Sequence, residues 1–162
     1  MKKPVIITIV VCIVIIMLTF CVAIFLGLNQ KKEAISAYDF QSIMKSKGYI
    51  VQDVKEQVED YDYVKQVYLA INDDYSYQIE FYEFSDDSDS KDFFDYNKSI
   101  FDTSKGNSSA ETSKALKNYS KYTLSTDGEY KVLSRIDNTA VYIDVDKEYK
   151  DEINSVLKEL GY

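Results

Sequence analysis

The chain has 162 residues, of which 27 are Asp or Glu and 19 are Lys or Arg, and it contains no His and no Trp. Its two cysteines, Cys12 and Cys21, both lie in one hydrophobic run near the start, so the rest of the chain has no disulfide framework. The composition excludes histidine and thiol chemistry after that run. We therefore expect a protein that is not an enzyme and that holds no metal and no cofactor.

The hydrophobic run covers residues 5–28 and holds 24 residues without a charge. A helix of this length reaches about 36 Å, enough to cross a hydrocarbon core of about 30 Å. The sequence therefore predicts a short cytoplasmic tail at 1–4, a transmembrane helix at 5–28, a linker at 29–35 and an extracytoplasmic domain at 36–162.

Two processed forms compete with a permanent anchor. A cleaved signal peptide has a shorter apolar region, and Ala34-Ile35-Ser36 is a weak cleavage site. A lipoprotein needs a small residue before its cysteine, whereas Phe20 precedes Cys21. Lysines flank the run evenly, but long domains translocate largely regardless of charge. We expect a retained single-pass anchor in the cell membrane, with the N-terminus in the cytoplasm and the domain outside.

Charge restricts the partners of the domain. All 27 acidic residues follow Lys32 but only 15 basic residues do, so the formal charge of that part is −12. Such a charge repels nucleic acid and anionic lipid. We expect the chain to contact the lipid bilayer through 5–28 and to bind an envelope protein or a wall polymer, and we expect no nucleic-acid partner.

The first half of the domain predicts a helix, three strands and a second helix. Ser36 is an N-cap signal with Asp39 in a capping-box-like position, and Gly48 is a stop signal. The acidic stretch 55–62 predicts a loop. Alternating apolar residues predict strands at 49–54, 63–71 and 76–84, and helical spacing after Ser88 or Ser90 turns Phe93, Phe94, Asn97, Ile100 and Phe101 inward.

The second half predicts three further strands and a last helix. Thr103 to Lys117 is rich in Ser, Lys and Thr and predicts a flexible loop. Asp127-Gly128 and Asp137-Asn138 predict hairpin turns. The strands are predicted at 119–125, 129–136 and 140–145, and the helix is capped by Asp146 and closed by Gly161.

Together these elements predict an α+β fold, in which an antiparallel sheet of about six strands carries three helices packed on one face. A hairpin, an acidic cap and an amphipathic helix recur in Val67 to Phe101 and in Val132 to Leu160. This recurrence indicates either a pseudo-repeat or a chance similarity of pattern.

Three stretches carry a resemblance to other proteins: Ile79 to Glu83, Arg135 to Thr139 and Lys158 to Tyr162. With these stretches the chain resembles small single-pass membrane proteins of Gram-positive bacteria that have no assigned function. The resemblance implies a membrane protein and brings no catalytic residues with it.

Two patterns invite a metal-binding or catalytic interpretation. The acidic run Asp86 to Asp95 lacks the glycine and glutamate of a calcium loop, and acids at a helix start are favoured by the helix dipole. S-x-x-K sequences begin at Ser42, Ser88 and Ser155, without the partner motifs of penicillin-binding proteins. Paired carboxylates, such as Glu80 beside Asp144, leave a small cell-wall hydrolase as an alternative function.

Tyrosines supply the better candidate site. If helices cover one face, the outer face presents Tyr68, Tyr82 and Tyr142, and tyrosine packs against sugars or peptides while its hydroxyl stays wet. The high strand propensity of tyrosine explains the same pattern without a ligand. We expect a binding or interaction module of the bacterial cell envelope. A further alternative is an accessory subunit recognised through its transmembrane helix, at Thr8, Cys12, Thr19 and Gly27.

Overall fold

Seven β-strands form one antiparallel sheet in the computed structural model, which describes residues 15–19, 31–106 and 109–162. The chain divides into two units, Met1–Lys31 and Lys32–Tyr162, and the second contains this sheet. The strands are β1 (Ile50–Asp53), β2 (Val64–Ile71), β3 (Gln78–Phe84), β4 (Ala110–Leu116), β5 (Tyr119–Ser125), β6 (Glu129–Ile136) and β7 (Thr139–Asp146).

The second unit contains three α-helices, and most of their ends lie close to the predicted signals. The helices are α1 (Ala37–Ser46), α2 (Asp87–Thr103) and α3 (Lys150–Glu159), and 3-10 turns occur at Lys55–Val58 and Lys147–Tyr149. The cap predicted at Asp146 is wrong, because its side chain makes no capping hydrogen bond and a 3-10 turn precedes the last helix. The side chain of Ser36 accepts a hydrogen bond from the Asp39 backbone N–H at 3.1 Å, as the capping signal predicts. Gly48 and Gly161 follow α1 and α3 with φ angles of +90° and +86°, which explains why glycine stands there.

The sheet joins two meanders through its centre. Its strand order is β1-β2-β3-β7-β6-β5-β4, and every neighbouring pair is antiparallel. The first meander contains β1 to β3, the second contains β4 to β7, and the last strand of each meets the other in the middle. The predicted α+β class with an antiparallel sheet is thereby confirmed.

The helices cover both faces of the sheet, so their predicted placement on one face is wrong. Helices α1 and α3 pack on a first face against residues such as Phe81 and Ile143, whereas α2 packs on the second face against Leu133. The neighbours Val132 and Leu133 of β6 point to opposite faces, and both are fully buried.

Polar residues on the second face explain the wrong expectation. Lys131 lies there beneath the ring of Phe101, with its ammonium 2.5 Å from the carboxylate of Asp144 and 3.0 Å from that of Glu129. In the sequence these charges are typical of a solvated face. Their pairing allows α2 to cover them, because a buried charge is tolerated when it is paired.

The two hairpin-helix units of the predicted pseudo-repeat are not related by a rotation in the folded domain. The helix that follows β3 packs on the second face, and the helix that follows β7 packs on the first. A rotation that superimposes two antiparallel neighbours such as β3 and β7 leaves each face of the sheet where it was, so both helices would have to lie on the same face. Placing them on opposite faces would require an inversion, which a chiral chain cannot undergo. The recurrence is therefore a similarity of local pattern.

The flexible loop predicted between Thr103 and Lys117 is wrong in part, because strand β4 lies within it. The strand pairs with β5 from Ala110↔Ser125 to Leu116↔Tyr119 and forms one edge of the sheet. All of its residues except Leu116 are exposed, so no apolar face produces an alternating pattern.

Most of the predicted transmembrane span lies outside the described residues. Within 5–28 the structure describes Ile15 to Thr19, which is helical. Across the described parts of the chain, no helix combines the length and the apolar character needed to cross a membrane.

Candidate functional site

An open groove lies on the second face, between the segment that precedes β2 and the first turns of α2. Its volume is about 650 Å³, within the range of roughly 300–1,000 Å³ that small-ligand sites occupy. We call it the tyrosine groove. Its main lining residues are Tyr61, Tyr63, Tyr82, Phe84, Asp89, Asp92, Phe93 and Tyr96.

Aromatic rings from β3 and α2 form the packed side of the groove. Tyr82 and Phe84 are two residues apart on β3 and therefore point to the same face. Phe93 of α2 packs on both, with ring centroids 4.6 Å from Tyr82 and 5.2 Å from Phe84. These contacts are within the range of favourable aromatic pairs. They hold α2 on the sheet at this point.

The open side of the groove presents three partly exposed tyrosine rings. Tyr61 and Tyr63 meet edge to face, with centroids 5.7 Å apart. The backbone holds them in place, since the Val64 N–H donates to the Tyr61 carbonyl at 2.9 Å and the Ser85 N–H donates to the Tyr63 carbonyl at 2.8 Å. Tyr61 is 51% exposed, Tyr63 44% and Tyr96 67%. These rings therefore have surface available for a ligand.

The groove has a negative electrostatic character. Asp89 and Asp92 line it, and no Lys or Arg is among the lining residues that the structure describes. Partial burial, followed by the nearby Tyr61 and Asp89, raises the pKa of Tyr63. Burial and the charge of Glu80 raise the pKa of Tyr82, whose hydroxyl donates to Glu80 Oε2 at 2.6 Å. Tyr63 and Tyr82 therefore stay neutral hydrogen-bonding groups at ordinary pH.

The three tyrosines predicted to share an outer face are separated. Tyr82 lines the tyrosine groove, and Tyr142 lies on the same face beneath α2, with its ring centroid 5.1 Å from that of Phe101. Tyr68 pairs with Phe81 across β2 and β3, which places it on the first face, where it packs against the main core. The assumption of one common face for Tyr68, Tyr82 and Tyr142 is corrected.

The exposed tyrosines of the groove escaped the sequence analysis. Tyr61 lies in the acidic stretch 55–62 interpreted as a loop, Tyr63 lies at the start of a predicted strand, and Tyr96 lies on the polar side of a helix. A weak signal existed, because Tyr96 follows Phe93 by three residues and Asp92 by four, which places all three near one side of α2. Nothing in the sequence linked that side to residues 61–63.

Two aspartates of the acidic run at the start of α2, Asp86 and Asp95, bond to other groups of the same helix. Asp86 caps the helix by accepting hydrogen bonds from the backbone N–H groups of Ser88 at 2.8 Å and Asp89 at 3.1 Å, and Lys91 pairs with Asp95. Within residues 15–19, 31–106 and 109–162, no three acidic or cysteine residues are grouped so that they could hold a metal ion. Glu80 and Asp144 are each bound by another side chain, Tyr82 and Lys131 respectively.

The fold and the groove together define a small α+β domain with an open, acidic, tyrosine-lined cleft. No protein-family model matches the chain, and neither a curated protein nor a solved structure matches it. Inferences about its function therefore depend on the physical chemistry of the groove and of the sequence.

Proposed function

We propose that the chain is a membrane-anchored binding module of the bacterial cell envelope, and that its ligand occupies the tyrosine groove. The uncharged run at 5–28 supports the anchor, with the N-terminus in the cytoplasm and the domain outside. The absence of His and Cys from residues 36–162 favours binding over catalysis.

One observation carries the choice of ligand: partly exposed tyrosine rings and two aspartates surround the same groove. The face of an aromatic ring attracts a cation, and a carboxylate attracts it more strongly. The ligand is therefore a lysine- or arginine-bearing segment with apolar neighbours, presented by an envelope protein or a wall polymer. The formal charge of −12 after Lys32 favours the same sign of partner.

The test uses the full-length protein in a nonionic detergent and two peptides of equal length, one alternating Lys with Leu and the other Glu with Leu. Tyrosine fluorescence should show saturable binding of the lysine peptide only. The double variant Tyr61→Ser/Tyr96→Ser should bind it about tenfold more weakly or worse, because truncating interface anchors typically costs about 2 kcal/mol or more. Its stability should change little, since exposed substitutions stay within about 0.5 kcal/mol each.

The matched control is Tyr38→Ser, which removes an exposed tyrosine of α1 that does not line the groove. It should bind the lysine peptide as the original chain does. Asp92→Asn removes a charge from the groove and leaves the tyrosine rings in place. It should therefore lower the affinity for the lysine peptide through charge alone. The proposed ligand class would be ruled out if both peptides bound with equal affinity, or if Tyr38→Ser lost as much affinity for the lysine peptide as the double variant does.

A further inference from the structure

A second cavity, of about 330 Å³, lies on the first face of the sheet near its β4 edge. It is lined by β4, by β5 and by the start of α3, and we call it the lysine pocket. Its charged lining residues are Lys114, Lys121 and Lys150, and its hydroxyl-bearing lining residues include Thr112, Thr123 and Ser125. It is separate from the tyrosine groove, which lies on the opposite face.

Two of these lysines are placed directly opposite each other. Lys114 of β4 pairs in register with Lys121 of β5, so both side chains project from the same face. Like charges at directly opposed positions of a sheet destabilise the pair. Lys150, at the start of α3, adds a third ammonium group, 5.5 Å from the centroid of the Tyr130 ring.

No carboxylate neutralises the pocket. Within residues 15–19, 31–106 and 109–162, none of the three lysines has a carboxylate oxygen within 4 Å, and the remaining residues include no Asp or Glu. Some lysines elsewhere in the domain form ion pairs, as Lys98 does with Asp102 and Lys131 with Asp144. The pocket is distinguished by the grouping of three such lysines around one cavity in a domain with a formal charge of −12.

Lys32 extends the positive region. Its ammonium lies 4.1 Å above the ring centroid of Tyr119, and its backbone exchanges hydrogen bonds of 3.0 and 2.8 Å with the side chain of Asn118. Burial lowers the pKa of Lys121, and the charges of Lys32 and Lys114 lower it further. The lysines thus lie close enough to repel one another.

We propose that the lysine pocket binds a phosphoryl oxyanion. Three ammonium groups and several hydroxyl groups around one small cavity suit an ion that offers several equivalent oxygens and a full negative charge, whereas a carboxylate offers only two oxygens. The bound anion would offset the repulsion between Lys114 and Lys121. The phosphoryl group could belong to a free phosphate, to a monoester, or to the phosphodiester of a polymer or lipid, and the experiment separates these sources.

The test titrates the full-length protein, in a nonionic detergent at constant ionic strength, with inorganic phosphate, glycerol 3-phosphate and short-chain phosphatidylglycerol, each followed by ³¹P NMR. We expect saturable binding of at least one of them. Binding of the first two alone assigns a free or monoester phosphate, and binding of phosphatidylglycerol assigns a phosphodiester. Absence of saturable binding of all three overturns the proposal.

Three variants make the test specific. Lys114→Gln/Lys121→Gln should bind about tenfold more weakly or worse, because it removes two charged hydrogen-bond donors from the oxyanion. Lys114→Arg/Lys121→Arg keeps both charges and should retain binding, and Lys91→Gln, which removes an exposed lysine of α2, should not change it. Unchanged binding by the glutamine variant overturns the proposal.

The same glutamine variant controls for loss of folding. Since it removes a repulsion and only a small part of each aliphatic side chain, it should unfold without phosphate at about the same temperature as the original chain, or higher. A lower melting temperature overturns the premise that the two lysines repel each other in the folded domain.

Discussion

At the scale of single residues, Tyr122 connects three elements. Its buried hydroxyl lies 2.7 Å from Asp102 Oδ1 at the end of α2 and 3.2 Å from Glu111 Oε2 of β4. Lys105 pairs with both carboxylates, and Lys98 lies 4.7 Å from the centroid of the tyrosine ring. This network attaches the edge strand β4 to the helix and to β5. It is needed because β4 is almost entirely exposed and makes few apolar contacts.

Tyr122→Phe tests this network without removing the ring. The variant should lose about 1 kcal/mol of stability at neutral pH, the usual contribution of one hydrogen bond. Lys105 and the Tyr122 hydroxyl hold the pKa of Asp102 below its usual range. A lowered pKa in the folded state stabilises the protein above the unfolded pKa of about 3.9 and loses that effect as the pH falls. The difference from the original chain should therefore persist below pH 4 and shrink only as the pH falls through the lowered pKa of Asp102 in the folded state.

Denaturant unfolding at intervals from pH 7 downward, as far into acid as the domain stays folded, measures this difference. Tyr96→Phe is the matched control, because it removes an exposed hydroxyl of α2 and should change stability by less than about 0.5 kcal/mol. A deficit in Tyr122→Phe that grows as the pH falls through the acid range would contradict the assigned role of Asp102.

At the scale of elements, α2 shows how one helix acquires its buried side. The spacing of its apolar residues predicted that both Ile100 and Phe101 point inward. The structure leaves Ile100 43% exposed and Phe101 2% exposed. Phe101 packs with Tyr142 and covers Lys131, so α2 is held on the second face by an aromatic contact that lies over an ion pair.

Truncation of these two adjacent residues should give different results. Phe101→Ala should destabilise the domain by about 3–5 kcal/mol, because it removes a buried ring and uncovers Lys131. Ile100→Ala should cost about 1 kcal/mol or less, because much of that side chain is already in water. Thermal unfolding of the two variants side by side provides the measurement. Similar losses would mean that the helix is rotated relative to the sheet.

At the scale of the whole molecule, tyrosines form much of the core. The 15 tyrosines all follow residue 36, and several have buried hydroxyls that bond to other side chains. Tyr77, directly before β3, donates to Glu152 of α3 at 2.7 Å, and Tyr162 shares a hydrogen bond of 2.5 Å with Thr139. The pKa values of Tyr77 and Tyr162 are both raised, and burial is the main cause in each case.

Alkaline pH should therefore unfold the domain cooperatively. A raised pKa in the folded state contributes stability that is complete below the unfolded tyrosine pKa of about 10, and that is lost as the pH rises above it. Absorbance of tyrosinate and far-ultraviolet circular dichroism, recorded together from pH 8 to 13, should show that the buried phenols ionise in a step that coincides with the loss of secondary structure. Completion of all tyrosinate absorbance with the ellipticity unchanged would contradict the buried state of these phenols.

The sequence by itself determined the local elements. The cap at Ser36, the stops at Gly48 and Gly161, and the hairpins at Asp127-Gly128 and Asp137-Asn138 depend on interactions among residues close in the chain, and the structure confirms them. Alternation and helical spacing were enough for the α+β class, because they are set by the geometry of a single strand or helix.

Only the tertiary structure decided the rest. Which face each helix covers depends on pairings such as Lys131 with Asp144, which make polar positions fit for burial. Strand β4 has no apolar face, so its pairing with β5 left no periodic signal. The tyrosine groove joins residues 61–63 to residues 89–96, and the lysine pocket joins Lys114 to Lys150. Such sites arise where distant elements meet, and no interaction local to the sequence specifies that meeting.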